Sequence, residues 1–211
     1  MRNTTKILTA ATAILLAVPF TSALGQRRRG LVDVSPSGDR HGFWLNAGVG
    51  AGIENYRFDT GDWHDDQSAP SLWLGLGGTV NPHLRLGGEF NLWVHEHTDL
   101  TSGFDVTETL GSAMLTGQVY PSRTLGFFVK GGLGISRSGS DISGPGGSVG
   151  ETGFAGLAGI GYEIRLSRSV FLSPVVSGLW HTSGDRDAPD GKLHERVWTI
   201  GVGVTVQPER R

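Results

Sequence analysis

Between His83 and His97 the chain reads HLRLGGEFNLWVHEH and divides by position into two chemistries. Leu84, Leu86, Gly88, Phe90, Leu92 and Val94 are apolar or small, while the alternate positions Arg85, Glu89, Asn91, Trp93 and His95 are largely polar. A helix would mix the two sets; a period of two sustained over this length assigns them to opposite faces of one long strand. The polar face carries Arg85 and Glu89, which must find partners or water wherever they are enclosed. An oily exterior around a polar interior meets both demands, so the stretch is read as one stave of a small transmembrane β-barrel.

The same period recurs along the chain. Phe43 to Ile53 alternates apolar residues with Trp44, Asn46 and three glycines. Leu72, Leu74, Leu76 and Val80 alternate with Ser71, Trp73, Gly75, Gly77 and Thr79. Ala113, Leu115 and Val119 face away from Ser112, Thr116, Gln118 and Tyr120, with Met114 as an apolar exception. Leu125, Phe127, Val129, Leu133 and Ile135 oppose Gly126, Lys130, Gly132, Gly134 and Ser136. Phe154, Ala158, Ile160, Tyr162 and Ile164 oppose Gly159, Gly161, Glu163 and Arg165. A seventh segment runs from Val170 to His181, and an eighth sets Trp198, Ile200, Val202, Val204 and Val206 against Thr199, Gly201, Gly203 and Thr205. Tight turns are expected at Asn81-Pro82, at Pro121-Ser122-Arg123 and at Ser167-Arg168. Longer polar loops fall at Asp59 to Pro70, His97 to Asp105, Ser138 to Gly150 and Ser183 to His194.

The fold class is therefore all-β: an eight-stranded antiparallel up-and-down barrel, with short periplasmic turns on one rim and longer extracellular loops on the other. In hydrocarbon an unpaired amide has no water to turn to, so a spanning sheet must close on itself. Eight strands enclose room only for side chains. Frequent glycine, 34 of 211 residues, then leaves space for large inward groups. The expected lumen network comprises Arg85, Glu89, Asn91, Lys130, Glu163 and Arg165, paired with one another. Outward aromatics sort by depth: Phe43, Phe127 and Tyr162 toward the turns, and Phe154, Trp180 and Trp198 toward the loops, as two lipid-interface belts require.

The barrel is assigned to residues 42–207. Before it, Arg2 and Lys6 precede the apolar run Ile7 to Phe20, which ends in Ser22, Ala23 and Gly25. This is the layout of a secretory signal peptide over 1–25, followed by an exposed leader over 26–41; residues 208–211 form a tail. Removing the signal segment takes away two bases and no acids, leaving a mature charge of −4. With no basic stripe beyond Arg27 to Arg29, a nucleic-acid partner is not expected. The absence of cysteine excludes thiolate metal sites, thiol catalysis and disulfides.

From Gly42 to Gln207 the pattern resembles the small eight-stranded outer-membrane barrels represented by OmpX and the transmembrane domain of OmpA. The resemblance implies an outer-membrane location in a Gram-negative-type envelope, contact with membrane lipid and lipopolysaccharide, and loops free to meet an extracellular ligand or protein. One departure is the last strand: such barrels usually finish on an aromatic residue, whereas this one ends Thr-Val-Gln.

Candidate chemistry is sparse, and no cofactor or metal is expected. His181, Ser183 and Glu195 resemble the base, nucleophile and orienting acid of outer-membrane lipid A deacylases. Gly184 nevertheless stands where that family's motif has asparagine, and the alternation points all three into the lumen, away from lipid. His95-Glu96-His97 and His64-Asp65-Asp66 lack the helix-borne or Cys-rich spacing of a zinc motif, and the acids Asp62, Asp185, Asp187 and Asp190 read as solvated loop charge. The favoured role is structural or surface-interacting, with a narrow polar lumen too small for a general porin. A lipid A deacylase-like esterase is the first alternative, and a soluble lipocalin-like carrier, which would need an oily interior, the second.

Overall fold

The computed structural model describes residues 40–59, 61–63, 67–98, 103–143, 148–183 and 192–208, all within the compact unit Val32–Arg211. Residues 1–25, expected to be a signal peptide, most of the expected leader, the end of the tail and the loop residues His64, Asp65, Asp66, Asp185, Asp187 and Asp190 lie outside the described residues.

The strands are β1 (Phe43–Phe58), β2 (Gln67–Asn81), β3 (Leu84–Thr98), β4 (Asp105–Val119), β5 (Phe127–Ile142), β6 (Ser148–Tyr162), β7 (Ile164–Arg165), β8 (Val170–Ser183) and β9 (Leu193–Val206). All pairings are antiparallel. β6 and β7 are two pieces of one stave, since both pair with β8 and only Glu163 separates them. Its amide donates to the Gly126 carbonyl at 2.9 Å, continuing the register with which β6 pairs β5. The result is eight staves in chain order, closed where β1 pairs with β9 from Leu45↔Val206 to Phe58↔Leu193. Chain neighbours in an up-and-down sheet run in opposite directions, so only an even number of staves lets the first and last also pair antiparallel.

Alternation decides which face each residue takes. Leu115, Leu133, Phe154 and Ile200 stand 79, 76, 81 and 68% exposed on the outer wall, while Arg85, Glu89, Lys130 and Glu163 are buried inside. Leaving one such side chain in water rather than in an apolar phase forgoes about 1.5–3 kcal/mol. A whole wall of them is tolerable only in hydrocarbon.

The strands are longer than the amphipathic segments suggest. They have 14 to 16 residues, apart from the two-residue β7, against the roughly 9 to 11 needed to cross a bilayer. β5 and β6, for example, stay in register out to Asp141↔Ser148, within the stretch expected as the loop Ser138 to Gly150. Beyond the membrane both faces of a hairpin are wet, so the ladder continues while the sequence alternation that reveals strands is lost. On the other rim the 120–126 connection is wider than a tight turn because β5 begins at Phe127 rather than at Leu125.

The glycines make room for tryptophan. Trp73 lies against Gly48, where an added Cβ would sit 2.1 Å from its ring, and Trp44 covers Gly77 and Gly87, each at 2.7 Å from a built Cβ. These rings occupy the volume that β-carbons on neighbouring staves would fill. Gly48→Val is therefore expected to abolish the compact species seen on gels of unboiled samples, while Gly78→Val, where a Cβ meets nothing within 4 Å, retains it.

Candidate functional site: a filled lumen

The interior is built from the turn end upward. At its base, Glu163 sits between two guanidiniums: Arg85 donates to it, and Arg40 Nε lies 3.5 Å from its second oxygen. Arg85 also donates to Tyr120 Oη at 2.7 Å and to Gln207 Oε1 at 2.8 Å. Tyr120 Oη lies 3.0 Å from both Gln118 Oε1 and Glu163 Oε1. The Arg40 guanidinium packs 3.7 Å from the centroid of the Tyr120 ring and donates to the carbonyls of Leu125 (2.7 Å), Pro82 and Ser122 (both 3.4 Å). Gln207 donates to the His41 carbonyl. Arg40, expected in an exposed leader, is thus buried beneath the barrel. A guanidinium has enough donors to satisfy turn carbonyls from two connections as well as Glu163. Burial pushes the Arg40 guanidinium below its ordinary value, and the Glu163 charge opposes that.

Further along, Lys130 Nζ donates to Glu89 Oε1 at 2.8 Å, both side chains being almost fully buried. Trp73 Nε1 donates to Asn46 Oδ1 at 2.7 Å, and Asn46 Nδ2 donates to Thr205 Oγ1 at 2.8 Å. Asn91, on the same face of β3, has a buried Nδ2 with no hydrogen-bond partner among the described residues. Arg165, expected in the same network, does not join it: its guanidinium donates to the carbonyls of Ser167 (3.2 Å) and Arg168 (3.3 Å) in the rim turn. Arg165 is the last paired residue of its stave, opposite Phe171, where turn carbonyls are nearer than the lumen acids.

The lumen is not polar throughout. Trp93, Leu110, Met114, Ala155, Leu157, Leu179 and Val197 form a buried apolar cluster inside the barrel, and Trp73, Tyr120, Phe128 and Val175 form another. Inward parity in the sequence carries these residues, but an inward leucine looks like an outward one until registers bring several together.

Above the first cluster lie His181 and Glu195, paired across β8 and β9. His181 Nε2 is 3.4 Å from Glu195 Oε2, without hydrogen-bond alignment, while His181 Nδ1 contacts Ser136 Oγ on β5 and Ser138 Oγ donates to Glu195 Oε1 at 2.7 Å. The serine brought to His181 is thus Ser136; the side chain of Ser183 lies outside the described residues. His181 and Ser136 are 1 and 3% exposed inside the barrel, where bilayer lipid cannot reach them. A recess of about 470 Å³ at the loop end is lined by Glu54, Trp93, Glu108, Glu151 and Glu195 among others.

On the outer wall Phe43, Phe127 and Tyr162 stand exposed near the turn rim. Phe154, Trp180 and Trp198 stand exposed toward the loops, the two indoles edge-to-face at 5.6 Å. At that end Asp59 accepts from His194 Nε2 at 2.6 Å and from the Lys192 amide at 3.0 Å. The histidine hydrogen bond holds its carboxyl below the usual carboxylate range.

Two outcomes follow. Lys130→Met leaves Glu89 as a buried unpaired charge and is expected to cost ~3 kcal/mol or more, whereas Lys130→Met/Glu89→Leu recovers most of the loss; urea unfolding in lipid vesicles reads both. For Asp59 the folded value is depressed, so its contribution is complete above the unfolded value of about 3.9 and is lost as pH falls through the lower folded value. Hydrogen exchange of the Asp59 and Lys192 amides, corrected for intrinsic rate, should therefore accelerate only below about pH 4, and Asp59→Asn should remove the step.

The fold is shared with solved outer-membrane proteins. The attachment invasion locus protein Ail of Yersinia pestis, crystallised with the heparin analogue sucrose octasulfate, matches 78% of this chain and 99% of its own at 13% identity, with a TM-score of 0.52. Neisserial surface protein A, NspA, matches 79% of this chain and 97% of its own at 13% identity, with a TM-score of 0.53. No curated protein sequence matches the chain. Residues 10–205 match the outer membrane protein β-barrel domain family, and with eight closed staves, an oily wall and a filled interior this chain belongs to that family as a protein of the outer membrane.

Proposed function

We propose that this barrel acts through its outer wall and loop rim, as a structural and surface-interaction protein of the outer membrane, and does not pass solutes along its axis. The observation that carries this reading is the apolar layer of Trp93, Leu110, Met114, Leu157, Leu179 and Val197, lying between the buried ion pairs below it and the acid-lined recess above. Water and ions crossing the barrel would have to desolvate through that layer, and eight staves leave no room to go round it. A lipocalin-like carrier needs an open oily interior, whereas here the apolar inward side chains among the described residues pack against one another.

The outer wall supports contact with membrane lipid. Phe43, Phe127 and Tyr162 on one rim, and Phe154, Trp180 and Trp198 on the other, are proposed as the two interfacial belts. Above the loop-end belt the Arg57 and Arg196 guanidiniums lie 4.9 and 4.0 Å from the centroid of the Trp63 ring. This cationic and aromatic group suits the phosphates of outer-leaflet lipopolysaccharide. An extracellular ligand or protein would be met by the loops. Ail was crystallised with a sulfated sugar analogue, and the Arg57 and Arg196 pair is one place where this chain offers positive charge to an anionic glycan.

Reconstitution in planar bilayers is expected to give no unitary conductance above the lipid background, and stable open steps would remove the closed-lumen reading. Lipopolysaccharide retained through detergent purification should fall in Arg57→Ser/Arg196→Ser while the heat-dependent gel shift persists.

A further inference from the structure

His95 and His97 are two residues apart on β3, so strand alternation places both imidazoles on the lumen face, and the register sets Glu108 of β4 directly across from His95. One ligand atom from each of the three lies within 4.8 Å of the others. The rings are held side by side: His95 stacks on Trp93 at 5.7 Å and 15°, and its centroid is 5.3 Å from that of His97. Two donor atoms are left over. His97 Nδ1 and Glu108 Oε2 are buried and make no hydrogen bond among the described residues. Such an atom carries an uncompensated desolvation cost unless something else binds it. Glu108 also lines the loop-end recess, which gives a solute from outside a path to the cluster.

We propose that His95, His97 and Glu108 form a binding site for a divalent transition-metal ion of the zinc type at the loop-end mouth of the lumen. Two neutral imidazole nitrogens and one carboxylate oxygen are a donor set that Zn²⁺ takes, with a fourth tetrahedral position left for water or an external donor. Zinc bonds of about 2.0–2.2 Å place ligand atoms about 3.3–3.6 Å apart, so modest rotations of these side chains bring the three donors to an ion. Glu96, between the histidines, points to the other face and takes no part; the third ligand comes from the neighbouring stave. A bound ion would tie β3 to β4 where both leave the membrane.

The test uses the folded barrel in detergent, produced without a polyhistidine tag, and Zn²⁺ in competition with a chromophoric chelator. The expected result is about one equivalent of tight binding, weakened about tenfold or more in His97→Ala and in Glu108→Gln. His83→Ala, on the turn rim, should leave it unchanged. Zinc-edge X-ray absorption of the wild-type protein should show two imidazole ligands, a readout that holds even if a variant fails to fold. Absence of saturable binding, an affinity unaltered in both site variants, or a zinc spectrum without imidazole scattering would each overturn the assignment.

Discussion

The continuous ladder between β1 and β9, from Leu45↔Val206 to Phe58↔Leu193, is the constraint on which the rest of the structure depends. Inside a bilayer each backbone amide left unpaired costs several kcal/mol, and an open sheet would expose two full edges of them. Closure removes both edges together. It also makes alternation absolute, since in a closed sheet each side chain faces either lipid or lumen. Leu133 therefore meets hydrocarbon while Lys130, three residues before it, is buried against Glu89.

Closure with only eight staves makes the lumen a packing problem. The glycines at 48, 77 and 87 take up part of it by admitting Trp73 and Trp44 against bare backbone. The charges take up another part, but only in combinations that leave little unpaired: Glu163 between Arg85 and Arg40, and Glu89 with Lys130. Paired buried charges add little net stability over well-packed apolar groups, yet breaking one pair is costly. Their value here is to join staves far apart in sequence, such as β3 with β5 through Glu89 and Lys130. Trp93, Leu110, Leu157 and Leu179 fill a further part as an apolar cluster.

Much of this was legible before any coordinates. Arg85, Glu89, Lys130 and Glu163 announced themselves because an ionisable side chain inside an alternating apolar run has only one tolerable side. Arg165 obeyed the same parity and was misleading, because it is the last residue of its stave, paired with Phe171 beside a rim turn whose carbonyls take its guanidinium. Arg40 gave no signal at all: its partners Glu163, Leu125 and Pro82 are far along the chain, and a segment without alternation looks solvated whether or not it tucks under a barrel. Leu157 and Leu179 lay on the inward parity, but apolar character alone does not separate lipid from core. The ends of the strands were hidden for a related reason, since a hairpin wet on both faces has no alternation to display.

Sequence alone determined the number of staves, their direction and the face each residue takes, because a period of two is a property of the extended backbone and survives without any knowledge of neighbours. The order of pairing and the rim bearing short turns followed from the same local information. Only the tertiary structure decided which inward groups meet: Glu163 with two arginines, His181 with Ser136, and His95 and His97 with Glu108 across the β3–β4 register. Those encounters depend on the stagger and tilt of eight strands around a closed circuit, and that is a relation between staves which no single segment encodes.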